Sequence, residues 1–214
     1  MHRYFIKTPW IAKFLFPAYV WDLPAAEGTV YLTFDDGPHP RITPWVLDVL
    51  RDHDAKATFF CIGNNVAQFP EVYRRILDEG HATGNHTYDH CNGWKTPTDV
   101  YLRSTREAAR LIDSNLFRPP YGRIRSAQAA GIAEAMGHRA AKVIMWDVLS
   151  ADFDSSFSPQ QCLKHVLDNV HSGSIVVFHD SEKAARNLEF ILPEILKSLK
   201  ERGYICRPME MVCR

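Results

Sequence analysis

The sequence lacks an excess of charge of either sign. It contains 25 Lys and Arg residues against 25 Asp and Glu residues, so its formal net charge at pH 7 is zero. A balanced chain has no broad basic field for holding a phosphate backbone, so we expect no nucleic-acid partner. Only a local basic patch would escape this argument. Hydrophobic residues make up 46% of the 214 residues, which excludes wholesale disorder and suits one domain, or at most a tight pair.

Paired cysteines are also lacking. The five cysteines stand at positions 61, 91, 162, 206 and 213, and no two of them form a C-x-x-C pair. This spacing argues against a cysteine zinc site and against a thioredoxin-like motif. The odd, scattered set argues weakly against a disulfide framework, and it fits a reducing compartment without requiring one.

No apolar run has the length of a membrane span. Residues 9–21 are mostly apolar, but Lys13 and Pro17 interrupt them, and a transmembrane helix needs about 20 apolar residues. Lys13 also makes the segment a poor signal peptide, although the small residues Ala25 and Ala26 would suit a cleavage site. The compartment therefore stays open between the cytoplasm and the cell envelope.

The same segment has the pattern of a short amphipathic helix. Thr8 and Pro9 fit an N-cap and a first helical position, and the helix should end before Pro17. The apolar face would comprise Trp10, Ile11, Phe14 and Leu15. We expect the N-terminal segment, residues 1–28, to pack on a domain that spans 29–214. The alternative is an interfacial membrane contact through Trp10, Phe14, Lys7 and Lys13.

Strand-like and helix-like patterns alternate along the rest of the chain. Near-continuous apolar runs predict strands at 29–34, 56–61, 140–148 and 174–179, with shorter candidates at 115–118 and 204–206. Helix starts are indicated at Thr43-Pro44, Thr96-Pro97 and Ser158-Pro159, and helix ends at Gly80, Gly137 and Gly203. This alternation predicts an α/β fold with a parallel sheet, either open or closed into a barrel.

Reactive side chains follow the C-terminal ends of several predicted strands. Asp35 and Asp36 follow the first strand, Arg118 follows a short one, and His179 and Asp180 end the strand at 174–179. Parallel strands bring their carboxyl ends to one face, where barrels and open sheets both place their sites. The sequence therefore predicts one polar site at this face.

Three further side chains have the spacing of a metal site. His86 and His90 are four residues apart, which can place both imidazoles on one side of a helical turn or compact loop. The adjacent carboxylates of Asp35 and Asp36 would repel each other unless a cation or an arginine lies nearby. Two histidines and one carboxylate leave an open metal position, which is typical of catalytic sites. The alternatives are a structural histidine pair and an ordinary Asp-Gly-Pro turn.

Four motifs occur in a fixed order. They are TFDDGP at 33–38, HTYDH at 86–90, RPPYG at 118–122 and FHD at 178–180. This set resembles the motifs of the polysaccharide deacetylases, carbohydrate esterase family four, with their NodB-like domain. The resemblance runs from about residue 29 to about residue 206. It implies a distorted (β/α) barrel in a single domain, with a metal site at the C-terminal ends of the strands.

The resemblance also implies a role for each motif residue. The implied metal ligands are Asp36, His86 and His90, and the implied cofactor is one divalent ion, zinc first, with cobalt or another divalent ion as the alternative. Asp35 would be the general base, and Arg118 would orient it. The backbone N–H of Tyr121 would donate to the oxyanion. His179 would be the general acid, with its pKa tuned by Asp152.

The fourth family motif, close to D-x-x-D-W, is only partly kept. The chain has Leu149 in place of the first aspartate, keeps Asp152, and has Phe153 in place of tryptophan. Val177 stands where the fifth motif frequently has leucine. Phe153 and Val177 are apolar and could line a pocket for the acetyl methyl group. Trp94, in the loop after the second motif, could stack on a sugar ring or pack partly under its loop.

The implied function is a metal-dependent hydrolase that removes acetyl groups from N-acetylated amino sugars. The substrate would be a chitooligosaccharide, peptidoglycan or a related glycan, attacked by a metal-bound water with general acid–base help. An O-acetyl polysaccharide esterase is the nearest alternative. A catalytically silent carbohydrate-binding protein or a simple metal-binding protein are alternatives of another class, but a silent protein should have lost a ligand, the base or the acid. An acetylated glycan is thus the expected partner, and the oligomeric state is left open.

Overall fold

The computed structural model describes residues 4–23, 28–138 and 140–209. Within these ranges the chain forms eight short strands and eight α-helices, which alternate along most of its length. The strands are β1 Thr29–Asp35, β2 Ala57–Cys61, β3 Ala82–Asn85, β4 Leu116–Phe117, β5 Lys142–Val143, β6 Val148–Leu149, β7 Ile175–His179 and β8 Ile205–Cys206. The helices are α1 Trp10–Leu15, α2 Ile42–Asp52, α3 Gly63–Gln68, α4 Pro70–Asp78, α5 Thr98–Ala109, α6 Ser126–Met136, α7 Pro159–Leu167 and α8 Ala185–Glu201.

The strands form one parallel sheet in the order β5-β4-β3-β2-β1-β7-β6, and β8 pairs with the start of β1. The central strand β1 sets the register, because Leu32 lies opposite Ala57 of β2 on one side and Val176 of β7 on the other. The sheet curves into a half-barrel, which confirms the prediction of a single α/β domain with a distorted (β/α) barrel fold.

The segment before β1 lies beside the open side of this half-barrel. Val20 forms a parallel bridge with Ile144, and Lys7 forms an antiparallel bridge with Val148. The Val20 N–H donates to the Val143 carbonyl at 2.9 Å, and its carbonyl accepts from the Met145 N–H at 2.7 Å. Residues on both sides of α1 therefore supply backbone partners where β5 and β6 do not pair with each other.

The prediction of one strand over 140–148 is wrong. The stretch forms β5 and β6, with a break between them. In this break, the Arg118 side chain donates hydrogen bonds to the carbonyls of Ile144 at 3.3 Å and Met145 at 2.9 Å. These carbonyls accept hydrogen bonds from the guanidinium instead of from a neighbouring strand. The strand pairing therefore changes at this point, from β4 with β5 to β7 with β6.

Strand β3 was not among the predicted strands. Its sequence, Ala82–Asn85, contains only small and polar residues, which have weak strand propensity. The packing requires such residues, because a Cβ placed on Gly84 would lie 2.4 Å from the Phe60 ring. The glycine that lowers the strand signal is therefore the residue that lets β2 and β3 lie side by side.

The predicted helix ends agree with the structure to within one or two residues. Helix α7 begins at Pro159, and the Ser158 hydroxyl accepts a hydrogen bond from the Gln161 N–H at 3.2 Å. Helix α5 begins at Thr98, so Pro97 is its N-cap rather than its first residue. Gly137 ends α6 with φ 70°, the left-handed conformation that favours glycine.

Helix α1 forms and ends before Pro17 as predicted, but the expected packing of its apolar face is wrong. None of its residues is buried, and Trp10 and Phe14 are 74% and 72% exposed. A membrane contact through this face stays a prediction, although Lys7 and Lys13 bind Asp147 instead. In the described ranges, no helix combines the length and apolar character needed to cross a membrane. The suggested cleavage site at positions 25 and 26 lies outside the described residues.

Asp147 holds the N-terminal segment to the domain. This carboxylate is fully buried, and it accepts from Lys7 Nζ at 2.5 Å, Lys13 Nζ at 2.7 Å and Ser174 Oγ at 2.7 Å. Burial alone would raise the pKa of Asp147, but the hydrogen bonds from the lysines outweigh it and hold the pKa below its ordinary value. The segment is therefore anchored by its cations rather than by its apolar helix face.

We predict that Asp147→Asn lowers the free energy of unfolding at neutral pH by about 2 kcal/mol, because Lys7 loses its carboxylate partner and Lys13 keeps only Asp22. Urea denaturation measures the change. The folded-state pKa of Asp147 is depressed, so its contribution is present above the unfolded value of about 3.9 and is lost as the pH falls through the folded value. The difference between wild type and variant should therefore shrink in acid.

The matched control for this prediction is Asp168→Asn. Asp168 is exposed, and its described ion pair is with Lys164 at 3.9 Å, so its loss should change the unfolding free energy by less than about 0.5 kcal/mol. Equal losses in the two variants would contradict the anchoring role of Asp147.

Candidate active site

The motif residues meet at the C-terminal ends of the strands, as the sequence predicts. Asp35 ends β1 and lies directly opposite His179, the last residue of β7. His86 follows β3 immediately, and Arg118 follows β4 immediately. The parallel register thus brings together residues that lie up to 144 positions apart, from Asp35 to His179.

Asp36, His86 and His90 form a cluster of three potential metal ligands. Each offers one donor atom, and these atoms all lie within 4.8 Å of one another. Asp36 Oδ1 is 3.2 Å from His90 Nε2 and 3.8 Å from His86 Nε2. His86 and His90 lie on a compact loop rather than a helix, which is one of the two arrangements that their spacing allows.

The environment of His86 and Asp36 suits the binding of a divalent metal. His86 Nδ1 donates to the Arg118 carbonyl at 2.8 Å, and a carbonyl only accepts, so Nε2 is left with a free electron pair. Burial lowers the pKa of His86 to about 4, which keeps the imidazole neutral. Burial alone would raise the pKa of Asp36, but the hydrogen bond from His90 holds it well below its ordinary value. Two imidazole nitrogens and one carboxylate form a donor set that fits Zn²⁺ or a similar ion.

Asp180 braces the loop that carries Asp36. Its fully buried carboxylate accepts from the Gly37 N–H at 3.0 Å and from the Thr43 hydroxyl. A Cβ on Gly37 would lie 2.1 Å from Asp180 Oδ2, so the close approach requires glycine. The Asn65 side-chain amide supports the same loop by donating to the Asp36 carbonyl at 2.7 Å.

The sequence predicts the position of Asp180 at this face but indicates no role for it. The available signal was its position directly after His179, because a carboxylate that follows a buried apolar strand needs a partner inside the fold. Burial raises the pKa of Asp180 to about 7, against the opposing effect of its hydrogen bonds. The loop bearing Asp36 supplies that partner.

Arg118 is fully buried and fixes Asp35. Its Nη1 atom donates to Asp35 Oδ1 and to Thr33 Oγ1, both at 2.7 Å. The guanidinium also lies over the Phe60 ring, with the carbon 4.0 Å from the ring centroid. Thr33 was missed as a site residue, although it belongs to the TFDDGP motif. The Asp35 carboxylate is therefore held in one orientation beside the cluster of potential metal ligands.

Asp152 fixes His179 in the same way. Asp152 Oδ1 is 2.8 Å from His179 Nδ1, and Oδ2 accepts the His179 backbone N–H at 2.8 Å. Burial alone would lower the pKa of His179, but the Asp152 carboxylate outweighs burial and raises the pKa to about 9. The imidazole is thus a cation at neutral pH, and its Nε2 atom is left to donate a proton.

Unusual backbone geometry is concentrated at the motifs. Among the described residues, six other than glycine have positive φ, and all but Asp54 lie in or beside the motif loops. The five are Asp36 (82°), Thr87 (62°), His90 (53°), Tyr121 (60°) and Ala151 (60°). Residues other than glycine adopt positive φ only where the surrounding structure enforces it. Such backbone strain clusters at functional sites. Tyr121 lies against the ligand cluster, with its ring centroid 4.6 Å from that of His90.

The residues expected to contact substrate lie around this centre in different ways. Phe153 packs edge-on against His179, with ring centroids 4.8 Å apart. Val177 is 1% exposed and pairs with Thr33 and Leu149, so it lies within the sheet below His179. Trp94 is 58% exposed, and one face of its ring is covered by Arg123 at 5.0 Å. Contact of these residues with substrate stays a prediction.

The sequence and the fold are similar to those of known proteins. The family model described as polysaccharide deacetylase matches residues 22–141. A peptidoglycan-N-acetylglucosamine deacetylase of Bacillus cereus is 33% identical over 91% of this chain and 70% of its own length. A chitooligosaccharide deacetylase of Azorhizobium caulinodans is 31% identical over 86% of this chain and 93% of its own.

A solved structure shows the same architecture. The crystal structure of the Bc1960 peptidoglycan N-acetylglucosamine deacetylase superposes with a TM-score of 0.79 at 32% identity, covering 94% of this chain and 93% of that one. With a family model that matches more than half of the sequence and relatives that align along most of it, the chain belongs to the polysaccharide deacetylases, hydrolases of carbohydrate esterase family four.

Proposed function

We propose that this protein is a metal-dependent N-deacetylase that hydrolyses the acetamide of an N-acetylated amino sugar in a glycan. The observation that carries the proposal is the arrangement of two opposed pairs beside one ligand cluster. Asp35 is held by Arg118 on one side, and His179 is held by Asp152 on the other. Hydrolysis of an amide requires a base and an acid at the same moment, and this site has a candidate for each.

The ligand cluster sets the position of the reaction. Asp36, His86 and His90 would hold the ion, which when bound polarises the acetyl carbonyl and makes the attacking water more acidic. Asp35 takes the proton of that water, and its orientation is fixed by Arg118. The backbone N–H of Tyr121 donates to the developing oxyanion.

The second half of the reaction depends on His179. An amide does not release its amine unless the nitrogen is protonated, and His179 carries the required proton at neutral pH because of Asp152. An O-acetyl ester needs this proton much less, because an alcohol or alkoxide leaves more readily. The positively charged acid therefore favours the N-deacetylase over the O-acetyl esterase.

The decisive experiment is acetate release from a graded set of N-acetylglucosamine oligomers, with added zinc or cobalt and with a chelator. We expect release that the chelator abolishes and the metal restores. His90→Ala should lose both zinc binding and activity, whereas Asp35→Asn should keep the zinc and lose the activity. His138→Ala is the control, because His138 lies at the surface beside exposed Asp113 and should change neither. Absence of release from every oligomer with metal supplied, together with release from O-acetylated xylan, would favour the esterase. Absence from both would favour the silent binding protein.

We predict that His179→Ala lowers kcat/KM for the acetamide about 1000-fold and for an activated acetate ester by less than about tenfold, because a good leaving group departs without a proton. Parallel assays of an N-acetylglucosamine oligomer and an activated aryl acetate test this. Equal losses on the two substrates would contradict the role of His179 as the acid.

We also predict that Asp152→Asn shifts the alkaline limb of the pH profile to lower pH by roughly 1 to 2 units. The Asp152 carboxylate raises the pKa of His179, so its neutral analogue lowers that pKa, and the acid loses its proton at a lower pH. The pH dependence of kcat/KM on the acetamide measures the shift, with Asp168→Asn as the unshifted control. A limb that does not move would assign the alkaline limit to another group.

A further inference from the structure

A cluster of unpaired cations lies at one rim of the candidate active site. It consists of Lys95, Arg123 and Arg125 around Trp94, and we call it the Trp94 rim. In the part of the chain that the structure describes, no carboxylate lies within ion-pair distance of these three cations. By contrast, Arg41, near the other side of the site, pairs with Glu182 and Glu189 at 3.3 Å. The rim is thus locally basic in a chain whose net charge is zero.

Hydrogen bonds and close backbone contact hold the loops of the Trp94 rim together. The Gln128 amide donates to the Gly93 and Thr96 carbonyls at 2.9 and 3.1 Å, and Arg125 donates to the Trp94 carbonyl. A Cβ on Gly93 would lie 2.3 Å from the Arg123 carbonyl, so the two loops are in backbone contact. These contacts fix the backbone of the loop that carries Trp94, while the indole ring itself is 58% exposed.

The rim also lies next to the reaction centre. Trp94 follows the ligand His90 by four residues, and Arg123 follows Tyr121 by two. The rings of His90 and Tyr121 are 4.6 Å apart, so the segments that lead to Trp94 and Arg123 start side by side at the ligand cluster. A glycan bound with its acetamide at the ligand cluster would extend across one rim or another of the site, and this rim offers a fixed aromatic ring beside a half-buried guanidinium.

We propose that the Trp94 rim binds a sugar that carries a carboxylate and neighbours the N-acetylated sugar in the glycan. The exposed indole face stacks on the pyranose, and Arg123 receives the carboxylate, which its planar guanidinium suits. Lys95 and Arg125 add positive potential without direct contact. The inference rests on the proposed deacetylase function and names its substrate class, an acidic rather than a neutral glycan.

The test compares two forms of one substrate, a tetrasaccharide of alternating N-acetylglucosamine and N-acetylmuramic acid. One form has free lactyl carboxylates and the other has the corresponding neutral carboxamides. We expect wild type to have a KM about tenfold lower for the acid form, equivalent to about 1.4 kcal/mol, and the preference should weaken as salt rises. Arg123→Gln should reduce the ratio to about one by raising the KM for the acid form, with kcat nearly unchanged.

The charge-matched control is Lys200→Gln. Lys200 is exposed near the end of α8, at the opposite end of the barrel, and its loss should leave the preference intact. Retention of the preference in Arg123→Gln, or equal KM values in wild type, would overturn the inference while acetate release upheld the deacetylase. No acetate from either form with metal supplied would overturn both.

A uronic acid could present the same carboxylate, so an N-acetylated glycan with alternating uronic acids forms a second arm of the test. Stronger dependence on Arg123 in that arm would assign the carboxylate to a uronic acid, with the acidic-glycan inference upheld. A single-stranded oligonucleotide that inhibits as strongly as the acid tetrasaccharide, and equally in Arg123→Gln, would show a general polyanion surface and overturn the inference.

Discussion

The structure of the site depends on one buried cation, the guanidinium of Arg118. Removing a guanidinium from water is costly unless its hydrogen bonds and charge are matched inside the protein. Here the donors reach the Asp35 carboxylate, the Thr33 hydroxyl and the carbonyls of Ile144 and Met145. The partners come from two parts of the fold. Strand β1 supplies the carboxylate and the hydroxyl, and the break between β5 and β6 supplies the two carbonyls. The ion pair that orients the candidate base therefore also fixes where the sheet changes partners.

The backbone carbonyl of Arg118 determines which ring nitrogen of the candidate ligand His86 carries the proton. The Arg118 carbonyl accepts a hydrogen bond from His86 Nδ1, which leaves the electron pair of Nε2 free on the side where Asp36 lies. Arg118 thus connects the candidate base Asp35, the candidate ligand His86 and the edge of the sheet. Asp152 has a similar double connection, since one oxygen binds the His179 ring and the other binds its backbone. In both pairs, rigidity and charge come from a single side chain, so orientation and proton affinity are set together.

The parts of the fold that could be predicted from the sequence are those whose signals are local. The strands at 29–34 and 174–179 were predictable because their burial on both faces requires continuous apolar runs. The meeting of the motif side chains at one face was predictable because parallel strands bring their carboxyl ends together. Strand β3 was not predictable, because Gly84 is required by the Phe60 ring on the neighbouring strand. The local sequence of β3 contains no sign of this contact.

The break in 140–148 and the brace by Asp180 have the same origin. Arg118 is distant in sequence from the break, and Gly37 is distant from Asp180. The local sequence of each segment therefore does not predict these contacts. Helix α1 shows the reverse case. Its apolar spacing is a sound local signal for a helix, yet Trp10 and Phe14 lie exposed, because the segment is held by Lys7 and Lys13 on Asp147. Amphipathic spacing predicts a helix but does not say which face the rest of the molecule covers.

Composition is the weakest guide to the Trp94 rim. A net charge of zero argues correctly against a broad basic field, but it averages over charges that the fold separates. Cations such as Arg41 and Arg75 are matched by neighbouring carboxylates, whereas the described neighbours of Arg123 are aromatic and backbone atoms. A guanidinium over an indole remains attractive to anions, because the ring offers only a weak quadrupole in place of a full negative charge. The proposed preference for an acidic glycan therefore depends on the location of this charge near the candidate ligands, and the total charge of the chain does not reveal it.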